Sequence, residues 1–205
     1  MGSMLLNIQH SDAEEDLLCY SFDSSIAEPV YPKLVCWPKN TDEVVKAVNY
    51  AAENNLSVIP RGAGTGMSGA SVPTGTNCMV ISLEKMRKLI DIDTKNMTVV
   101  VEPGIINGVL QKELEYLGCF YPPDPASLNI CTIGGNIATN AGGPRALKYG
   151  VTRDYVMSIE SVLADGTVIT SGGKTHKRVV GYDMKNLFIG SEGTLAVSTR
   201  IRLKI

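Results

Sequence analysis

The sequence predicts an α+β protein in two parts, and three features of the chain lead to this prediction. Before residue 86, a helical pattern precedes two short apolar segments, which is typical of parallel α/β units. After residue 86, apolar segments alternate with turn residues, most clearly at Asp165-Gly166, as in antiparallel hairpins. Two glycine-rich stretches, at 60–69 and 132–143, interrupt the periodic segments.

We divide the chain into three segments on this basis. Residues 1–35 are expected to form an N-terminal helix and an extended arm, because Pro29 and Pro32 keep the backbone extended. Residues 36–86 are predicted to form a first, α/β subdomain. Residues 87–205 are predicted to form a second, α+β subdomain with antiparallel strands.

In the first subdomain a helix is predicted with Thr41 as its N-cap and with Asp42 and Glu43 in its first turn. Strands at 57–60 and 79–81 should follow it and pair in parallel. The apolar spacing predicts that the helix buries Val44, Val45, Val48, Ala51 and Ala52.

In the second subdomain a helix over about 106–117 should bury Val109, Leu110, Leu114 and Leu117 and end at Gly118. The other predicted elements are strands 90–92 and 98–101, a hairpin of strands 158–164 and 167–170, a helical piece 183–188 and a strand 194–204.

The composition is that of a soluble globular protein. Of 205 residues, 44% are hydrophobic and 20% are charged, with a net charge of −2. This balance argues against a nucleic-acid or anionic-membrane partner. No apolar run approaches the roughly 20 residues of a membrane span, and the N-terminal residues include no apolar run of signal-peptide length, so we expect a cytoplasmic protein.

The cysteines and histidines favour no metal site and no disulfide framework. The five cysteines are odd in number and include no C-x-x-C pair, so we expect free thiols in a reducing compartment. Only His10 and His176 are present, which argues further against a metal.

The loop at 60–69 has the features of a phosphate-binding loop. Its glycines let the backbone approach a ligand closely. Successive exposed N–H groups form a concavity that binds anions. Arg61 either adds positive charge for the ligand or braces the loop, and the sequence does not distinguish these roles.

An NAD site is an alternative for this loop, because residues 64–69 match G-x-G-x-x-G and Glu84 lies where a ribose-binding acid is expected. That fingerprint must open a helix, however, and Pro73 and Gly75 interrupt any helix here. The phosphate should then be held by loop amides. A structural loop without a ligand is the other alternative.

The second glycine-rich stretch presents small residues against which a flat ligand can lie. Its uncharged hydrogen-bonding groups suit a flavin ring and ribityl chain: Thr132, Asn136, Thr139 and Asn140. Taken alone, such a stretch also fits a tightly packed loop. Glu192, within residues 190–195, either accepts hydrogen bonds from amides or ligand, or has a structural role.

Together these pieces resemble the FAD-binding domain of the glycolate oxidase GlcD and D-lactate dehydrogenase group, within the vanillyl-alcohol-oxidase-like (PCMH-type) flavoproteins. The resemblance extends over about residues 28–205 and is carried by 60–69, 122–125, 132–143, 181–183 and 187–195. It implies two α+β subdomains with FAD between them.

The resemblance also implies a set of cofactor contacts. The FAD diphosphate would be wrapped by Arg61, Gly62, Ala63, Gly64, Thr65, Gly66 and Gly69. The flavin-side pocket would include Pro123, Asp124 and Ser127. The diphosphate and isoalloxazine would be lined by Thr132, Gly134, Gly135, Asn136, Ala138, Thr139, Asn140 and Gly143. The adenine end would be completed by Gly150, Glu192 and Val197.

Two departures from the family qualify this expectation. Some relatives attach FAD through a histidine in the first loop, and Thr65 stands at that position, so the resemblance implies non-covalent FAD. Family members also continue into a cap domain that holds the substrate. The chain stops at Ile205, as an excised domain or a natural stub. Asp124 is the only charged candidate near the expected flavin, and no catalytic residue is predicted.

The function implied by the resemblance is oxidation of a D-2-hydroxy acid, such as glycolate or D-lactate, by hydride transfer to flavin. The substrate would bind through the absent cap, and electron-transfer subunits are possible partners. The fragment alone should be inactive. The alternatives are a non-catalytic or isolated flavin-binding module, and a relative that acts on another alcohol, such as an alditol or a cell-wall precursor.

Overall fold

The computed structural model describes residues 7–175 and 177–205. In chain order the elements are β1 (Gln9–Ser11), α1 (Glu14–Cys19), β2 (Leu34–Trp37), α2 (Thr41–Glu53), β3 (Ser57–Arg61), β4 (Cys78–Ser82), β5 (Leu89–Asp93), β6 (Thr98–Val101), α3 (Asn107–Glu115), α4 (Ile133–Thr139), α5 (Ala146–Tyr149), a 3-10 turn (Thr152–Asp154), β7 (Val156–Val162), β8 (Val168–Gly172), α6 (Met184–Phe188) and β9 (Val197–Lys204).

The first sheet has the strand order β1-β2-β4-β3. Strands β2 and β3 both run parallel to β4, so the predicted parallel pairing is confirmed. Strand β1 was not predicted and pairs antiparallel with β2, with His10 opposite Cys36. The N-terminal segment therefore contributes an edge strand to this sheet as well as the predicted helix.

The second sheet has the order β5-β6-β9-β7-β8, and its strands pair antiparallel. The hairpin predicted around Asp165-Gly166 is confirmed, with Val162 opposite Val168. Strand β9 lies in the middle of this sheet, where it pairs with β6 on one side and β7 on the other. The α+β class is confirmed. The predicted subdomain boundary at residue 86 lies in the connection between β4 and β5, and the division into segments stays a prediction.

The N-cap of α2 differs from the prediction. Asn40 is the cap, and its side chain accepts a hydrogen bond from the Glu43 amide at 2.9 Å. The hydroxyl of Thr41 instead donates to the Glu160 carboxylate of β7 at 2.9 Å. Both residue types cap helices well. The hydrogen bond from Thr41 to Glu160, a residue far away in sequence, engages the Thr41 hydroxyl and leaves Asn40 as the N-cap.

The predicted buried faces of the helices were partly wrong. Ala52 is exposed and Val45 only partly buried, because both lie outside the i, i+3, i+4, i+7 stripe that begins at Val44. Val109 of α3 and Leu117, which lies beyond the end of α3 at Glu115, are each about half exposed, which corrects the predicted inward positions. The residues of α2 that enter the core are Val44, Ala47, Val48 and Ala51.

The burial of the cysteines leads to a first testable result. Cys19 is exposed, whereas the other four thiols are buried. Burial raises the pKa of the Cys36 thiol to about 12, so the reactive thiolate is scarce there at neutral pH. We expect Ellman's reagent to modify one thiol per folded chain, and a Cys19→Ser variant to lose that reaction. Rapid modification of several thiols before unfolding would contradict the buried positions.

Within residues 7–175 and 177–205, no helix combines the length and apolar character needed to cross a membrane.

Candidate functional site

A cleft lies where the connections of the two sheets meet. Most of its lining comes from the loop after β3, the segment around α4 and the segment that leads into β9, and single residues after β4 and β6 complete it. The predicted site residues that line it are Arg61, Gly62, Ala63, Gly64, Thr65, Gly66, Ser127, Thr132, Gly134, Gly135, Asn136, Ala138, Thr139 and Glu192. The two glycine-rich stretches, which lie far apart in sequence, are thus brought to one place.

Other predicted residues lie outside the lining of this cleft, and their roles toward a cofactor stay predictions. Asp124 accepts a hydrogen bond from the Arg145 amide at 3.0 Å, and its carboxylate lies 3.3 Å from the Arg145 Nε. Gly143 packs against the Asp124 backbone. The Pro123 carbonyl accepts a hydrogen bond from the side-chain Nε2 of Gln111 at 2.8 Å. These contacts are internal to the second subdomain.

The remaining residues outside the lining occupy element ends or neighbouring loops. Asn140 ends α4 in the left-handed conformation, and Gly150 ends α5. Val197 begins β9 opposite Val162. Gly69 lies in the glycine-rich loop.

Several lining residues were not predicted. Eight of them lie in or beside the glycine-rich stretches or within 187–195, so their position in sequence was a usable signal: Pro60, Ala70, Ser71, Cys131, Ala141, Phe188, Ser191 and Gly193. Leu83 follows β4 and Pro103 follows β6, and the tertiary structure alone places these two. The full unpredicted set is Pro60, Ala70, Ser71, Leu83, Pro103, Pro125, Cys131, Ala141, Phe188, Ser191, Gly193, Ala196 and Ser198.

The backbone of the glycine-rich loop is the most informative part of the cleft. No helix follows it over 62–77, as Pro73 and Gly75 predicted. In the described part of the chain, the amides of residues 62–70 donate to no protein acceptor. A run of free N–H groups along a turning backbone is a site for an anion such as a phosphate.

Arg61 braces this loop. The side chain is buried, and its Nη1 donates to the Phe22 carbonyl at 2.7 Å and to the Ser71 carbonyl at 3.3 Å. The guanidinium lies directly against Gly64. Burial lowers the pKa of Arg61, yet an arginine stays protonated at neutral pH. Its positive charge therefore lies next to the free loop amides while its donors support the loop.

The second stretch forms the helix α4 in place of an irregular loop. Its glycines have low helix propensity, which hid the helix in the sequence. The Thr132 side chain caps it by accepting from the Gly135 amide at 3.2 Å. The amides of Ile133 and Gly134 donate to carbonyls of Ile105 and Pro103. The start of α4 is thus satisfied internally, and the helix serves as a wall of small residues.

Side chains connect the loop to the opposite wall. The Ser127 hydroxyl donates to the Thr65 hydroxyl at 3.4 Å. The Ser68 hydroxyl donates to the Glu192 carboxylate at 3.2 Å, and the Glu192 amide donates to the Ala138 carbonyl at 2.8 Å. Of the two roles considered for Glu192, these contacts support the structural one.

Asn136 carries a polar group that lacks a protein partner. Only 3% of the residue is exposed, and its buried Nδ2 finds no acceptor in the described residues. Buried amide groups are nearly always hydrogen-bonded. Because Asn136 lines the cleft, this donor fits a polar ligand there.

Within the described ranges, no three His, Cys, Asp or Glu side chains are grouped to hold a metal ion.

Fold and site together define an α+β domain of two sheets, with a cleft lined by a loop of unpartnered amides and by a wall of small residues, as in a cofactor-binding domain. A family model described as "FAD binding domain" matches residues 32–172. The chain belongs to this family of FAD-binding domains, and its cofactor is FAD.

Characterised relatives match most of the chain. It is 44% identical over 194 residues to the glycolate oxidase subunit GlcD of Bacillus subtilis (strain 168), covering 95% of the chain and 41% of the relative. It is 44% identical over 172 residues to a D-lactate dehydrogenase of Archaeoglobus fulgidus, covering 84% and 38%. A mitochondrial D-2-hydroxyglutarate dehydrogenase of Bos taurus is 40% identical over 171 residues, covering 83% and 31%. The chain thus spans less than half the length of these relatives.

Solved structures share the fold. An alkyldihydroxyacetonephosphate synthase superposes with a TM-score of 0.84 at 28% identity, covering 96% of this chain and 37% of that one. Physcomitrella patens BBE-like 1 superposes with a TM-score of 0.78 at 18% identity, covering 97% and 42%, and supports the fold alone.

Proposed function

We propose that the chain is the FAD-binding part of an oxidoreductase that oxidises a D-2-hydroxy acid of the glycolate or D-lactate type. The observation that supports this most strongly is the run of unpartnered amides at 62–70, of which residues 62–66 and 70 line the cleft. The named activities of the relatives with more than 40% identity support the substrate class.

The chain's own residues would hold the cofactor by backbone and small side chains. The amides of 62–70 would bind the diphosphate, and α4 would provide the flat wall beside it. The free Nδ2 of Asn136 would donate to a polar atom of the cofactor. Thr65 lines the cleft, and a hydroxyl cannot form a histidyl link, so the binding is non-covalent.

When bound, FAD supplies the two-electron acceptor for a hydride from the substrate α-carbon. The chain orients this cofactor and shields one side of it from water. The titratable side chains of the cleft lining are Arg61, Cys131 and Glu192. The first two are buried, and the Glu192 carboxylate accepts a hydrogen bond from Ser68. Asp124 is paired with Arg145, which argues against a role as base.

The substrate carboxylate site and the catalytic base would therefore come from polypeptide beyond this region. The relatives are more than twice as long as their matched part, which supports a further substrate-binding domain. The B. subtilis relative is named a subunit, which supports electron-transfer partners for the whole protein.

The free state of all five cysteines supports a reducing compartment such as the cytoplasm.

Titration of the purified chain with FAD tests the cofactor part. We expect saturable binding, measured by the shift of the visible flavin band and by fluorescence quenching. Riboflavin is the matched control, because it has the same ring and no phosphate for the loop amides. It should bind at least about tenfold more weakly. A folded chain that binds neither compound, or both equally, would contradict the phosphate-binding role.

Turnover by the longer natural protein tests the substrate class. Glycolate and D-lactate should reduce the flavin faster than alditols or cell-wall precursors. Faster reduction by an alditol would favour the alternative alcohol. No reduction by either class would favour a non-catalytic flavin-binding module.

A further inference from the structure

The segment 20–25 lies against the glycine-rich loop and is not part of the family match, which begins at residue 32. The Phe22 carbonyl accepts from Arg61, and the Tyr20 ring lies 5.3 Å from the Arg61 guanidinium carbon. We use the name arm for residues 20–25 alone, a part of the N-terminal segment 1–35. None of its residues lines the cleft.

Ser24 of the arm holds one particular peptide of the loop. Its amide donates to the Gly64 carbonyl at 3.1 Å, and its hydroxyl donates to the same carbonyl at 3.3 Å. In a planar trans peptide, the carbonyl and the following N–H point in opposite directions. Holding the Gly64 carbonyl toward the arm therefore directs the Thr65 N–H away from the arm. Thr65 lines the cleft.

Asp23 holds the far end of the same loop. Its Oδ2 accepts from the Ser71 amide at 3.4 Å, and its Oδ1 accepts from the Ser25 amide at 2.8 Å, which orients the carboxylate. The Ser71 carbonyl in turn accepts from Arg61. The arm therefore contacts the loop at its start, its middle and its end.

We propose that Asp23 and Ser24 are positioning residues that hold the amides of 62–70 in the arrangement that binds the FAD diphosphate. They act through the loop, without touching the cofactor. A loop with several glycines has many conformations open to it, and ordering it on binding costs free energy. The arm orders the loop in advance, so that less of this cost falls on cofactor binding. The inference rests on the proposed binding of FAD by this loop.

FAD titration of arm variants tests this role. We expect the double variant Asp23→Ala/Ser24→Ala to bind FAD about tenfold more weakly than the wild type. The single variant Ser24→Thr, which keeps the hydroxyl and leaves Asp23 unchanged, should retain most of the wild-type affinity for FAD. Glu28→Ala is the matched control, because Glu28 is exposed near the arm and has no hydrogen bond within the described ranges. Its affinity should equal that of the wild type.

A second readout does not need the cofactor. Arg61 is buried in the structure, so trypsin should cleave slowly after it. Loosening the arm should speed cleavage between Arg61 and Gly62 in the double variant, and not in Glu28→Ala. The single variant Ser24→Ala, which keeps the backbone donor, serves if the double variant does not fold.

The FAD titrations and the trypsin rates together distinguish a failure of the proposed FAD binding from a failure of the inference about the arm. If the wild-type chain does not bind FAD, the proposed function fails, and the trypsin rates still decide whether the arm orders the loop. If the wild type binds FAD and the arm variants match it in both affinity and cleavage rate, the inference is overturned.

Discussion

A Gly64→Val variant should lose FAD binding by at least about a hundredfold. Gly64 has a φ of +67°, which strains any branched side chain. A Cβ at this position would also collide with the Arg61 guanidinium. That group cannot readily move, because the carbonyls of Phe22 and Ser71 hold it. The loop would have to change shape, and its free amides would no longer converge on one anion.

Titration with FAD measures this effect, and Gly75, which does not line the cleft, provides a control. A Cβ at Gly75 meets no atom within 4 Å, and its φ is not positive. Gly75→Ala should therefore keep the fold and the affinity. A Gly64→Val chain that bound FAD as tightly as the wild type would show that the loop conformation seen here is unnecessary for binding.

A Gly104→Ala variant should lower the free energy of unfolding by about 3 kcal/mol. Gly104 follows β6, and its amide donates to the Met86 carbonyl at 2.7 Å. A Cβ there would meet the Met86 carbonyl oxygen at 2.7 Å and collide with that of Leu83. Both obstacles are backbone atoms of the connection that links the two sheets, so relief requires the sheets to separate slightly.

Urea unfolding followed by circular dichroism measures this loss. Gly75→Ala is the matched control, since a Cβ at Gly75 meets nothing within 4 Å and should leave the midpoint unchanged. An unchanged midpoint for Gly104→Ala would mean that the connection between the sheets yields easily. Because the cleft lies between the sheets, the variant should also bind FAD less tightly at temperatures where it is still folded.

Much of the fold was predictable because its signals are local. The strand pattern before residue 86 and the hairpin at Asp165-Gly166 each depend on residues a few positions apart. The missed elements lack such signals. Strand β1 is too short for an alternating pattern, and α4 carries Gly134 and Gly135, whose low propensity is offset by its Thr132 cap.

The candidate site divides in a similar way. The sequence indicated that 60–69 is a loop with available amides, because Pro73 and Gly75 exclude a helix there. It left open whether Arg61 serves the ligand or the loop. Its partners are the Phe22 and Ser71 carbonyls, and Phe22 lies far away along the chain. No local pattern reports a hydrogen bond of that kind.

The sequence by itself thus indicated the two glycine-rich stretches and the parallel and antiparallel pairings, whereas the ligand came from the family resemblance. These follow from backbone freedom and apolar periodicity, which are properties of neighbouring residues. Only the tertiary structure decided that the stretches face each other across one cleft, that Arg61 is a brace, and that Ser24 holds the Gly64 carbonyl. Those facts depend on contacts between distant residues, which form only when the two sheets pack together.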